Sequence, residues 1–155
     1  MDEALKKEFQ NRIVSADRKE LLLIHLEMIL TEMRLAEQEM TENEEQFRRS
    51  IGLTMEMIKK LAESLDFSYE ISHVLLRAYQ QVNADLIEAK RKKTLASLTR
   101  AKQMMEQLKG AFASLELPVD TSVVQNGETI YAGLTYGRNN QLNESVDYQK
   151  RGFQA

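Results

Sequence analysis

Residues 68–117 read SYEISHVLLRAYQQVNADLIEAKRKKTLASLTRAKQMMEQLKGAFASLEL. The stretch has no proline, and its only glycine is Gly110. In its second half, Leu98, Ala101, Met105, Leu108, Phe112 and Leu115 recur at alternating steps of three and four. That spacing holds the apolar residues to one narrow stripe, as in a helix packed lengthwise along another helix. The first half repeats the rhythm at Ile71, Leu75, Ala78, Val82, Leu86 and Ala89, loses it at Lys90-Arg91-Lys92-Lys93, and regains it at Leu95 and Leu98. The pattern predicts one long helix from Ser68, roughly 70 Å at 1.5 Å per residue. Pro118 ends it, because the residue before a proline is pushed out of the helical region.

A helix of that length needs an equally long partner. Upstream, Leu22, Leu26, Ile29, Met33, Ala36 and Met40 form a clean seam, and Phe47, Ile51, Met55, Ile58, Ala62 and Leu65 continue it. Between them, Thr41 and Glu44 have the spacing of a fresh N-terminal cap, or of a stutter within one helix. The favoured reading is one kinked helix from Asp17 to about Leu65, with Asp17 and Glu20 as its capping pair. Asp66-Phe67-Ser68 reads as the turn, with Ser68 as cap and Phe67 placed to staple the next helix. Residues 2–14 form a short helix with Leu5, Phe9 and Ile13 on one face. The expected fold is all-α: an elongated antiparallel helical hairpin or coiled-coil bundle, with a short N-terminal helix and a flexible C-terminal tail. The expected division is a helical bundle domain over 1–117 and a partner-binding tail over 118–155.

Composition agrees. Of 155 residues, 43% are hydrophobic but only 6% aromatic, so Leu, Met, Ile and Ala must fill the core. The net charge of -3 speaks against nucleic acid as the main partner. The absence of cysteine removes disulfides, thiolate nucleophiles and zinc–thiolate sites. No secretory signal is expected at Met1–Lys7, and no stretch approaches the apolar length of a membrane span. A cytoplasmic protein without membrane insertion is the expectation.

Sites of chemistry are sparse. Glu70 and His73 have the Glu-x-x-His spacing of carboxylate-bridged di-iron bundles, but His25 has no glutamate three residues before it, so the second half of such a site is missing. No catalytic residues, cofactor or metal are expected, and the chain is not read as an enzyme. The cations at 90–93 spread around the helix and read as a solvated patch. Methionines are numerous, and Met104, beside the seam residue Met105, is hard to bury in the same seam. Exposed with Leu108 and Phe112, it would offer an apolar strip to a partner helix.

Beyond Pro118 the composition changes. Gly127, Gly133, Gly137 and Gly152 lie here, and Asn126-Gly127 has the form of a hairpin turn within residues 122–131. Tyr131-Ala132-Gly133-Leu134-Thr135-Tyr136-Gly137 looks like a short linear binding motif.

Two segments, Val82-Asn83-Ala84-Asp85-Leu86-Ile87 and Leu134-Thr135-Tyr136-Gly137-Arg138-Asn139-Asn140-Gln141-Leu142, together with the layout, resemble the FlgN-like flagellar export chaperones. The resemblance implies a chaperone that holds the helical terminus of hook-filament junction (hook-associated) proteins and delivers them to the flagellar export gate. It implies that Leu98, Met105, Leu108, Phe112 and Leu115 carry the substrate surface, with Met104 beside them. Tyr136, with Tyr131 as a second candidate, would dock on the gate. The alternative is a coiled-coil structural or adaptor protein of another assembly. Whether the chain is a monomer or a dimer stays open.

Overall fold

The structure, a computed structural model, describes residues 1–115. They form five helices: α1 Glu3–Ser15, α2 Arg18–Glu39, α3 Glu44–Glu63, α4 Glu70–Lys92 and α5 Leu95–Ser114. The described residues contain no strand. Helix α2 packs on α3 and α4 on α5, while α2–α5 and α3–α4 contacts close a four-helix ring; α1 lies on α2. The all-α antiparallel bundle with a short N-terminal helix is present, but each expected long helix is folded in two. The four bundle helices have 20 to 23 residues, about 30–35 Å each.

The first break falls at 40–43. Asn43, not Thr41, is the cap: its backbone is extended, and its side chain accepts the Gln46 N–H at 3.1 Å. The second falls at Lys93 and Thr94, where Lys93 takes a left-handed conformation, φ 53° and ψ 49°. Packing favours the breaks. A two-helix seam buries only a narrow stripe, whereas α3 buries Phe47, Ser50, Ile51, Thr54, Ile58 and Leu61, a face wide enough for two neighbours.

The N-terminal signal of α2 behaves as written. The Asp17 carboxylate accepts the Glu20 N–H at 2.8 Å and starts α2. At the α3–α4 turn Ser68 is not the cap, since Tyr69 takes the N-cap position of α4; Asp66 holds the turn instead, its Oδ1 accepting from the Ser68 N–H and hydroxyl and its carbonyl from the Ser72 hydroxyl. Phe67 meets the His73 ring, centroids 5.2 Å apart, and so fastens the turn to the first turns of α4.

The core runs through all four bundle helices, from Leu22, Leu26, Ile29 and Met33 through Phe47, Ile51 and Ile58 to Val82, Leu86, Leu98, Ala101 and Met105. Polar ties cross it. Lys102 of α5 binds both oxygens of Glu37 on α2. Arg100 of α5 donates to the buried Asp85 of α4 at 2.8 Å, and the Ser97 hydroxyl donates to Glu88 at 2.7 Å. At the other end, Lys19 donates to the carbonyl of Leu115.

Tyr79 is the exception in this core. It is 1% exposed, and its hydroxyl has no hydrogen-bond partner among the described residues. Burial pushes its acidity far out of the physiological range. An uncompensated buried hydroxyl costs about 1–3 kcal/mol. Tyr79→Phe keeps the ring and removes that cost, so it is expected to raise stability by about 1 kcal/mol, read as a higher urea midpoint at unchanged slope.

Candidate partner-binding surfaces

The expected substrate strip on α5 divides in two. Leu98 and Met105 are 0% exposed and Phe112 6%, so these three belong to the core. Met104 and Leu108 are half-buried against it, and Leu115 is 39% exposed. The six residues do not share one open face: Met104, Leu108 and Leu115 are the three that solvent reaches. The periodic pattern marks the stripe a helix buries, and the open residues stand beside it, as Met104 does beside Met105.

Helix α4 extends that open half. The Ser97–Glu88 and Arg100–Asp85 bonds fix an antiparallel register. It brings Leu108 and Leu115 to the same end of the pair as Ile71 and Val74, which are 39% and 47% exposed. Phe67, 46% exposed, stands at that end too. Ile71 was expected in the seam, but Ser72 is buried in its place. The result is an apolar edge along half of the α4–α5 pair. Sequence reasoning had Ile71 in the wrong place and missed Val74; the only signal for either is an apolar residue beside the buried stripe.

Helix α1 is lightly held. Phe9 is its one buried residue, with the Arg12 guanidinium over its ring at 5.5 Å. Arg12 reaches Glu27 on α2 at 2.7 Å, and the Met1 amine lies 3.3 Å from the buried Glu32. Val14 is 87% exposed.

A second surface lies between α3 and α4. Arg48, Met55, Ile87, Lys90 and Arg91 line an open depression of about 380 Å³. The basic run is therefore not uniformly dispersed: two of its cations join Arg48 around an apolar floor.

Glu70 and His73 are both exposed, and among the described residues no three His, Asp or Glu side chains gather where they could hold a metal ion. Nor is any described helix long and apolar enough to cross a membrane. His25 sits half-buried on α2. Burial, and secondarily the Lys60 charge, hold its imidazole below the ordinary 6.5. Below that pH the unfolded chain binds more protons here than the folded one, so the stability due to His25 is complete above 6.5 and falls as the medium acidifies toward the depressed value. The melting temperature is expected to drop between pH about 7.5 and about 5.5, and His25→Gln is expected to flatten that dependence.

Tyr131, Tyr136 and the expected Asn126-Gly127 hairpin lie outside the described residues. The family model described as Flagellar protein FliS matches residues 1–117. No curated protein matches the chain.

Proposed function

The chain belongs to the FliS family of flagellar export chaperones, and from that premise we propose that it holds the helical terminus of an unassembled filament subunit against the α4–α5 edge until export. The family match corrects the FlgN-like resemblance: the two are related but different families. FliS proteins bind flagellar proteins such as filament subunits. The hook-filament junction proteins, which came with the FlgN-like resemblance, become the comparison substrate. FliS is a chaperone family rather than an enzyme family.

The observation that carries the reading is the row of open apolar side chains Ile71, Val74, Met104, Leu108 and Leu115 on two adjacent helices. An amphipathic helix laid along such an edge covers it with side chains spaced at three and four residues. A subunit terminus that pairs with its neighbours only in the finished filament has such a stripe unpaired beforehand. Residues 118–155 serve, in this proposal, as a separate partner-binding tail, with Tyr131 and Tyr136 docking on the export gate.

Calorimetric titration tests the substrate. The terminal helical peptide of a filament subunit is expected to bind with a negative heat-capacity change, more tightly than the junction-protein peptide. Val74→Glu is expected to weaken it by about tenfold or more at unchanged melting temperature, since Val74 is exposed. Tighter binding of the junction-protein peptide would reassign the substrate. Indifference to Val74→Glu would remove the edge as the site. A chain ending at Pro118 is expected to retain subunit binding and lose gate binding.

A further inference from the structure

We propose that the depression between α3 and α4 is a second docking site, which takes an acidic amphipathic helix from a partner protein. It does not rest on the substrate assigned to the α4–α5 edge.

Three observations carry it. The first is charge. Arg48, Lys90, Arg91 and Lys93 cluster here, and Glu44 is the carboxylate that meets any of them, 3.3 Å from Arg48 and 3.6 Å from Lys93. Lys90 and Arg91 have no carboxylate partner among the described residues. Four positive charges against one negative leave a local excess of three on a chain whose net charge is -3. The second is the floor. Ile87 is 49% exposed and Met55 half-buried, so an adaptable apolar surface lies at the centre of the cations. The third is room. Gly52 follows Arg48 by four residues and precedes Met55 by three, and so shares their face of α3. A Cβ placed on it would meet nothing within 4 Å.

These features select the occupant. A helix resting in the trough sets an apolar stripe on Met55 and Ile87, one of its side chains entering the space over Gly52. Its flanking carboxylates reach Arg48 on one wall and Lys90 and Arg91 on the other. A nucleic-acid duplex would satisfy the cations but has nothing to place on the apolar floor, and the acidic remainder of the chain repels it.

The test uses the full chain and a fluorescent synthetic peptide of about five helical turns, with leucines on one stripe and glutamates on both flanks. The comparison peptide has glutamine for every glutamate, and a DNA duplex serves as the phosphate probe. The acidic peptide is expected to bind in the micromolar range. Its affinity is expected to fall by about tenfold or more with the glutamine peptide, with the double variant R48E/K90E, and with Gly52→Leu. The last fills the trough from a position where the backbone has space, and leucine favours helix over glycine, so its melting temperature should hold. Val74→Glu should leave this binding unchanged even if it abolishes subunit binding, so the two sites fail separately. No binding of the acidic peptide would overturn the proposal. So would equal binding of the glutamine peptide, indifference to both R48E/K90E and Gly52→Leu, or tighter binding of the duplex with the same sensitivity.

Discussion

Replacing Met105 with alanine is expected to lower the stability of the domain by about 2–5 kcal/mol, while the same change at Met104 costs about 1 kcal/mol. The two residues are adjacent in sequence and stand on different sides of the core boundary. Met105 is 0% exposed among Leu98, Ala101 and the α2 residues, so its truncation leaves a cavity that the four packed helices cannot collapse around. Met104 is half-buried at the α4–α5 edge, where water fills the space it vacates. Subunit binding should respond in the opposite order. Per unit of stability lost, Met104→Ala is expected to weaken the complex far more than Met105→Ala. Urea unfolding and calorimetric titration on both variants check this. Equal stability losses would show that the boundary does not run between them.

The second expected result is a change of assembly. Replacing both Lys93 and Thr94 with alanine is expected to convert a fraction of the protein, rising with concentration, into dimers that have exchanged α5. The connection between α4 and α5 is two residues long. Lys93 is the one non-glycine residue at positive φ among the described residues, and Thr94 makes no side-chain cap to α5. A left-handed conformation costs an ordinary residue about 1–2 kcal/mol, and alanine is the strongest helix former. The double variant therefore favours one continuous helix through the break. Helix α5 then projects from its own bundle, and a second copy must supply the α2 and α4 faces it packs on. Each native contact, including Arg100 to Asp85 and Lys102 to Glu37, is remade between chains. Size-exclusion chromatography reads the dimer. The absence of native cysteine permits a sharper check. Single-cysteine chains Glu88→Cys and Ser97→Cys, each in the double-alanine background, are mixed and treated with a short thiol–thiol crosslinker. Because Ser97 and Glu88 are hydrogen-bonded neighbours, cross-linked pairs form only if α5 has crossed over. Lys93→Gly, which suits the left-handed conformation, is expected to elute as the native chain does. A double variant that elutes like the native chain at every concentration and gives no cross-linked pairs would refute the expectation.

The same break shows what sequence could tell and what it could not. The helix stripes were legible at most positions: Leu22, Leu26, Ile29, Met33, Ala36 and Met40 are all buried, as are Leu75, Val82, Leu86, Leu98, Ala101 and Met105, whereas Ile71 and Leu95, expected in the same stripes, are exposed. Asp17 as a cap was equally legible, because a carboxylate three residues before a free backbone N–H is a local arrangement. The first fold of a long helix was legible as one of two readings at residues 41–44, and the second, at Lys93 and Thr94, was not. Lys90-Arg91-Lys92-Lys93-Thr94 contains no glycine or proline, and what stops the helix is the gain from docking α5 against α2, a tertiary term with no local sign. The exposure of the candidate surface was legible only in part, for a related reason. Periodicity locates what a helix buries, so it chose Leu98, Met105 and Phe112; it also drew Ile71 into a seam that the fold leaves open, while Val74 lies outside the rhythm altogether. The depression needed the structure altogether, since Arg48 and Ile87 meet only through the α3–α4 pairing.

The bond from Lys19 to the carbonyl of Leu115 fixes where the chain departs. Residue 115 sits beside the start of α2, where α1 also joins the bundle, and the turn at 40–43 and the break at 93–94 lie at the far pole. Anything that residues 118–155 bind is leashed to one pole. Tyr131 is sixteen residues beyond Leu115, and chain length alone keeps it within about 55 Å of that anchor. The depression between α3 and α4 lies toward the opposite pole, roughly 30 Å along the helices. A partner held by residues 118–155 and a helix held in the trough therefore need not collide. Once one is captured, the other is presented at the high local concentration of a short tether rather than at that of free solution.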